Sequence, residues 1–137
     1  MHSKYIIFFI LFWMALISGC KTPMTPEEIS DKFWLGVKTK NVALIKKYSA
    51  EDTIANLDSK DTIPQVKTIS FGRIIIDGEI AEIETILTII LNEKLMDLNT
   101  ETYLKKANEQ WRVDHDRTMR PLTINHEMAE LLGGVEA

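Results

Sequence analysis

The sequence predicts an α+β domain, and two changes of pattern along the chain predict it. From Thr25 to Tyr48 apolar residues recur at helical spacing, whereas past Pro64 they alternate at the two-residue period of a strand. Between these stretches, from Ile54 to Gln65, neither pattern holds and "NLDSKDTIP" reads as loop. Helices followed by strands give a layered α+β arrangement. The expected architecture is an N-terminal helical hairpin packed on an antiparallel sheet of about four strands, closed by a short C-terminal helix.

The first helix has a strong start in "TPEEISDKFWLGVKT". Thr25 can cap it, Pro26 suits the first helical position, and Glu28 completes a Thr-x-x-Glu capping box. Ile29, Phe33, Trp34 and Val37 share one face, the expected core contact. Asn41 offers a second cap, after which Val42, Ile45 and Tyr48 continue the helical spacing. In "FGRIIIDGEIAEIETILTIIL", Asp77-Gly78 stands between two apolar runs as a hairpin signal. Ala81, Ile83, Thr85, Leu87, Ile89 and Leu91 then point one way, and Ile80, Glu82, Glu84, Ile86, Thr88 and Ile90 the other. That split predicts one dry face and one mixed face. "LMDLNTETYLKKA" is expected as a third strand, with a turn at Asn108-Glu109. In "QWRVDHD", Trp111, Val113 and His115 alternate with Gln110, Arg112 and Asp114, which predicts a fourth strand carrying His115. Near the end, Asn125 can cap a short helix with Met128, Leu131 and Leu132 on one face and Gly133 as its stop.

The N-terminus has a separate logic. Lys4, an apolar run from Tyr5 to Leu16, and the small residues Ser18 and Gly19 follow the layout of a secretory signal peptide. The run is short of the ~20 apolar residues that cross a bilayer as a helix. Ile17-Ser18-Gly19-Cys20 resembles the lipobox of bacterial lipoproteins. That resemblance implies a diacylglyceryl thioether on Cys20 and cleavage before it, with its amine acylated in turn. It also accounts for a lone cysteine, which in an oxidising compartment could form no internal disulfide. The expected division is 1–19 signal peptide, 20–24 lipidated tether, 25–119 α+β domain and 120–137 C-terminal extension. Lys21, in place of the aspartate that retains lipoproteins in the inner membrane, favours the periplasmic side of the outer membrane in a Gram-negative host.

Removing residues 1–19 leaves 118 of 137, enough for one domain. The mature balance is 15 basic against 20 acidic residues, scattered without long single-sign runs. This excludes the basic footprint that nucleic acid rewards. The expected partners are a membrane, through the lipid on Cys20, and an envelope protein or small apolar ligand.

The capped "FW" helix, the "IKKYSAEDT" segment, the β-meander and "NEQWRVDHDRTM" together resemble small bacterial envelope domains of the nuclear-transport-factor-2-like, cystatin-like superfamily. The similarity runs from about Thr25 to Met119. It implies a curved sheet around helices, often enclosing a conical pocket, for which Trp34, Tyr48 and Trp111 are the candidate lining residues. Filling the core is the plainer role for all three. The favoured function is non-catalytic binding. The alternative is an isomerase or dehydratase, which in that superfamily uses an Asp or His buried in the cone.

Other chemistry is poorly supported. Asp114-His115-Asp116 invites a metal or acid–base reading, but on a strand His115 turns away from both aspartates. "HEMAE", His126 to Glu130, misses the second histidine of the zinc-protease pattern. Glu82 and Glu84 share a face with Ile80 and Ile86 and read as half-solvated sheet surface. No phosphate-cradling glycine loop, nucleophile elbow or paired-cysteine site is present. No cofactor, metal or catalytic residue is expected.

Overall fold

The capped helix forms where the capping box places it. In the computed structural model, which describes residues 22–55, 57 and 59–123, helix α1 spans Pro26–Lys38 and the Thr25 side chain accepts from the Glu28 N–H. Helix α2 spans Val42–Tyr48, with the Asn41 side chain accepting from the Leu44 N–H. The two pack at Gly36, where an added Cβ would stand 3.0 Å from Ile45 Cγ1 and 3.1 Å from its backbone nitrogen. Single 3₁₀ turns at Glu51–Thr53 and Lys60–Thr62 punctuate the connection to the sheet.

Four strands, β1 (Val66–Asp77), β2 (Ile80–Leu91), β3 (Lys94–Ala107) and β4 (Gln110–Val113), form an antiparallel meander in sequence order. The first turn sits one residue later than the sequence suggests: Asp77 pairs with Ile80, so Gly78 and Glu79 make the loop, and Gly78 takes φ +59°. The β3–β4 turn falls on Asn108-Glu109 as expected. Both residues have positive φ, and so do Asn92 and Glu93 between β2 and β3. Positive φ at two central positions is the twist-matched hairpin geometry.

The predicted division of β2 holds. Ala81, Ile83, Thr85, Leu87 and Ile89 are buried, while Ile80 and Ile86 are exposed. The buried face meets Ile29, Phe33, Trp34 and Val37 from α1. Phe33 and Trp34 stack edge to face at 5.3 Å between ring centroids, a preferred aromatic geometry. Among the described residues, the buried core cluster runs from Ile29 to Leu122.

The fourth strand ends earlier than expected. Val113 is its last residue, and residues 115–123 are helical, here α3. Asp114 caps this helix: its Oδ1 accepts from the Arg117 N–H, and its carbonyl accepts from the Thr118 N–H. Capping beats strand alternation because an Asp before the first turn satisfies donors that a continued strand would leave unpaired. His115, Met119 and Leu122 then bury one helical face. The reading of His115 as a strand residue is therefore corrected. Asn125, Met128, Leu131, Leu132 and Gly133 of the expected C-terminal helix, the "HEMAE" segment and Cys20 lie outside the described residues.

Candidate functional site

The sequence-predicted aromatic trio divides in space. Trp34 is only 1 % exposed and belongs to the core. Its indole N–H donates to Thr102 Oγ1 at 2.8 Å. Thr102 and Thr85 share a 2.6 Å hydrogen bond, and the Thr85 hydroxyl donates to the Ile83 carbonyl. Because Thr85 spends its proton on that carbonyl, Thr102 must donate to Thr85. The buried donors thus form one satisfied chain, as burial requires. Trp34 holds sheet to helix and does not reach the cleft described next.

Tyr48 and Trp111 do come together, and Trp111, 8 % exposed, is at once a member of the core cluster. They line a surface cleft of about 590 Å³, whose wall includes Thr22, Pro23 and Met24, the first residues of the described chain. Tyr48 ends α2 half-buried, and Trp111 is drawn beside it because β4 is clamped to the end of α2. The clamp is a parallel bridge between Ser49 and Val113, with the Ala50 N–H donating to the Val113 carbonyl at 2.8 Å. Each ring carries a cation, Lys47 at 5.5 Å over Tyr48 and Lys106 at 5.6 Å over Trp111. Arg112, also at the cleft, is folded back on its strand by bonds to the Trp111 carbonyl and Gln110 Oε1. Aromatic faces with cations beside them suit a ligand that is apolar with an anionic edge.

A second cleft, about 540 Å³, opens between α2, the Lys60–Thr62 turn and α3. His115 lines it, and sequence reasoning missed this site by placing the residue on a strand. The signal that could have found it is Asp114 as a cap followed by His115, Met119 and Leu122 at helical spacing. The His115 N–H donates to Thr53 Oγ1 at 3.0 Å, and its ring meets Phe33 edge-on at 6.2 Å. Burial pushes the imidazole below the ordinary histidine range, against the opposing pull of Asp116, of a hydrogen bond with the Thr53 backbone, and of Asp114. Its Nδ1 is buried and makes no hydrogen bond among the described residues.

Elsewhere the electrostatics are those of a surface. Lys105 holds the exposed Asp52 carboxylate at 2.7 Å and lowers its pKa. Burial, then Glu101, raises the Tyr103 phenol, over whose ring Arg117 stacks at 3.9 Å. Glu84 reaches back to the Arg73 N–H beside a register shift in β1. Among the described residues, no cluster of His, Cys, Asp and Glu is placed to hold a metal, and no helix is long and apolar enough to cross a membrane.

No family model matches the chain, and no curated protein matches it. Solved structures do. A SEC-C motif containing protein from Rhodopseudomonas palustris is similar at TM-score 0.55 and 12% identity, over 65% of this chain and 74% of that one. A Campylobacter jejuni protein described as an NTF2-like transpeptidase is similar at TM-score 0.45 and 15% identity, over 66% and 97%. A Nostoc punctiforme protein of unknown function with a cystatin-like fold follows at 0.42 and 16%, over 67% and 90%. At these identities the first likeness speaks to fold alone. The chain has an α+β fold with a four-stranded antiparallel sheet, and its structural neighbours include nuclear-transport-factor-2-like and cystatin-like proteins.

Proposed function

We propose that this chain is a lipid-anchored, non-catalytic binding domain of the bacterial cell envelope, built on a nuclear-transport-factor-2-like, cystatin-like frame. The supporting observation is the position of Thr22, Pro23 and Met24 in the wall of the Tyr48–Trp111 cleft. Thr22 is two residues past Cys20, so with ~3.3–3.6 Å per extended residue the cleft lies within about 7 Å of chain from a lipid on that sulfur. One acyl chain anchors marginally, at ~0.8 kcal/mol per buried methylene, whereas two or three anchor stably. A domain so tethered keeps this cleft at the bilayer surface. There Lys47, Lys106 and Arg112 face lipid phosphates while the two rings take an apolar ligand or envelope component.

The isomerase or dehydratase alternative would centre on His115. Among the described residues, Asp114 spends its carboxylate on the Arg117 N–H, and no hydrogen bond joins Asp114 or Asp116 to the His115 ring.

Two measurements test the proposal. Wild-type protein should fractionate with membranes, and Cys20→Ala should appear in the soluble fraction; an unchanged distribution refutes the anchor. Anilinonaphthalene sulfonate, an apolar anion, should bind the soluble domain and lose at least about tenfold in affinity in Trp111→Ala, since aromatic anchors dominate such sites. Equal affinity in that variant refutes the cleft.

A further inference from the structure

We propose that the outer edge of strand β1 pairs with the same edge of a second copy of this chain, through the segment from Arg73 to Asp77, and joins two four-stranded sheets into one. Such pairing needs neither a lipid on Cys20 nor the Tyr48–Trp111 cleft.

The sheet order leaves β1 and β4 at its margins, and the two are unlike. β4 is four residues long, and the clamp from Ser49 and Ala50 ties down its outer side at Val113. β1 runs for 12 residues, and among the described residues no strand pairs with its outer side. A row of unpaired backbone donors and acceptors is a template for another strand. A bulge shortens this template. Gly72 and Arg73 together lie opposite Glu84, whose carboxylate accepts from the Arg73 N–H, and a bulge interrupts pairing on its strand. The regular edge that remains runs from Arg73 to the hairpin turn. It is apolar where it is open: Ile75 is 51 % exposed and Ile76 57 %.

The sequence of that stretch names the occupant. It reads Arg-Ile-Ile-Ile-Asp, which run antiparallel against itself is complementary at every position. Ile75 faces Ile75 of the second copy, Ile74 faces Ile76, and Arg73 faces Asp77, each twice by symmetry. The side-chain faces agree as well, as directly opposed residues require. Ile74 and Ile76 pair with the buried Ile83 and Ala81 on the core side, and Ile75 pairs with Glu82 on the other. Arg73 lines an outer hollow with Ile75, Glu82 and Glu84, and Asp77 shares the face of Ile75 by alternation. A slip of one residue would oppose unlike faces. A slip of two would set Ile75 against Arg73 or Asp77 and lose the charge pairs. Arg73 and Asp77 are both exposed, and neither forms an ion pair among the described residues. The same patch on both copies closes on itself, so assembly stops at two. Five residues a side are fewer than the ~20–30 of a stable interface, so the pair is reversible and forms at high local concentration.

The test uses the full-length chain, labelled at its C-terminus with a donor or an acceptor fluorophore. The two are mixed in detergent with micelles in excess over chains, and energy transfer is titrated up to about 0.1 mM protein. Wild type should show saturable transfer. Arg73→Asp and Asp77→Arg should each weaken it at least about tenfold, because two opposite-charge pairs become two like-charge pairs. Arg73→Asp mixed with Asp77→Arg restores both pairs and should associate within about threefold of wild type; that recovery also shows that both variants fold. Hydrogen exchange in wild type gives a second readout. Exchange in a peptide covering residues 73–77 should slow as concentration rises, and exchange in one covering 110–113 should not. A wild type that stays monomeric would leave the edge to an extended peptide of another protein and overturn the proposal. Association indifferent to the charge reversals, no recovery in the mixed pair, or exchange at 73–77 independent of concentration would each overturn it too.

Discussion

Replacing Thr102 by Val tests the buried chain from Trp34 through Thr102 and Thr85 to the Ile83 carbonyl. Valine keeps the shape of threonine and removes only the hydroxyl. Trp34, Thr85 and Thr102 are at most 1 % exposed, so water cannot replace it. The indole N–H, now 2.8 Å from an oxygen, would face a methyl group. A buried donor stranded in this way costs about 1–3 kcal/mol. Thr85 is spared the same fate because it keeps its bond to Ile83. We therefore expect Thr102→Val to lower unfolding free energy by about 2 kcal/mol, and Tm by roughly 10 °C for a domain of this size. The decisive comparison is a double-mutant cycle with Trp34→Phe, read by urea denaturation. Phenylalanine has no N–H to strand, so in that background Thr102→Val should cost less than about 0.5 kcal/mol, leaving a coupling above about 1 kcal/mol. Equal costs in the two backgrounds would refute the claim that the N–H bond carries the effect.

Gly36→Ala gains about 1 kcal/mol of helix propensity but drives a Cβ against Ile45 and Leu44. Overpacking of about 1–3 kcal/mol should win, so thermal unfolding should show net destabilisation. Glu93 sits at φ 64° after Asn92 at φ 50°, and Glu93→Gly should stabilise by about 1 kcal/mol by relieving left-handed strain. His115 sets a pH dependence. Its native pKa lies below the ordinary value of about 6.5, so beneath that pH the unfolded chain binds the extra proton. Its contribution is complete above about pH 6.5 and is lost as pH falls through the native pKa. Urea midpoints at about pH 7.5 and pH 5.5 should therefore converge more in His115→Phe than in wild type.

How far the fold could be read from the residues depended on how local the physics was. The capping box at Thr25 and the alternation of β2 are local rules with one solution each, and both appear where the sequence places them. The end of β4 was contested locally. Trp111 and Val113 argue for strand and Asp114 for a helix cap, and the cap wins together with the burial of Met119 and Leu122 in the core. Site legibility follows the same division. Tyr48 and Trp111 are 63 residues apart, and their meeting depends on the Ser49–Val113 bridge, which no periodicity announces. Trp34 was legible as a core residue from its helical face. Its bond to Thr102 was not, because the bond joins a helix to a strand 68 residues away.

The central claim is that a lipid on Cys20 holds the Tyr48–Trp111 cleft against a bilayer. The most direct test is mass spectrometry of the N-terminal peptide from protein extracted from membranes. We predict a peptide that begins at Cys20 and carries the mass of a diacylglyceryl group together with an amide-linked acyl chain. A peptide beginning at Met1, or one beginning near Cys20 with an unmodified thiol, would contradict it.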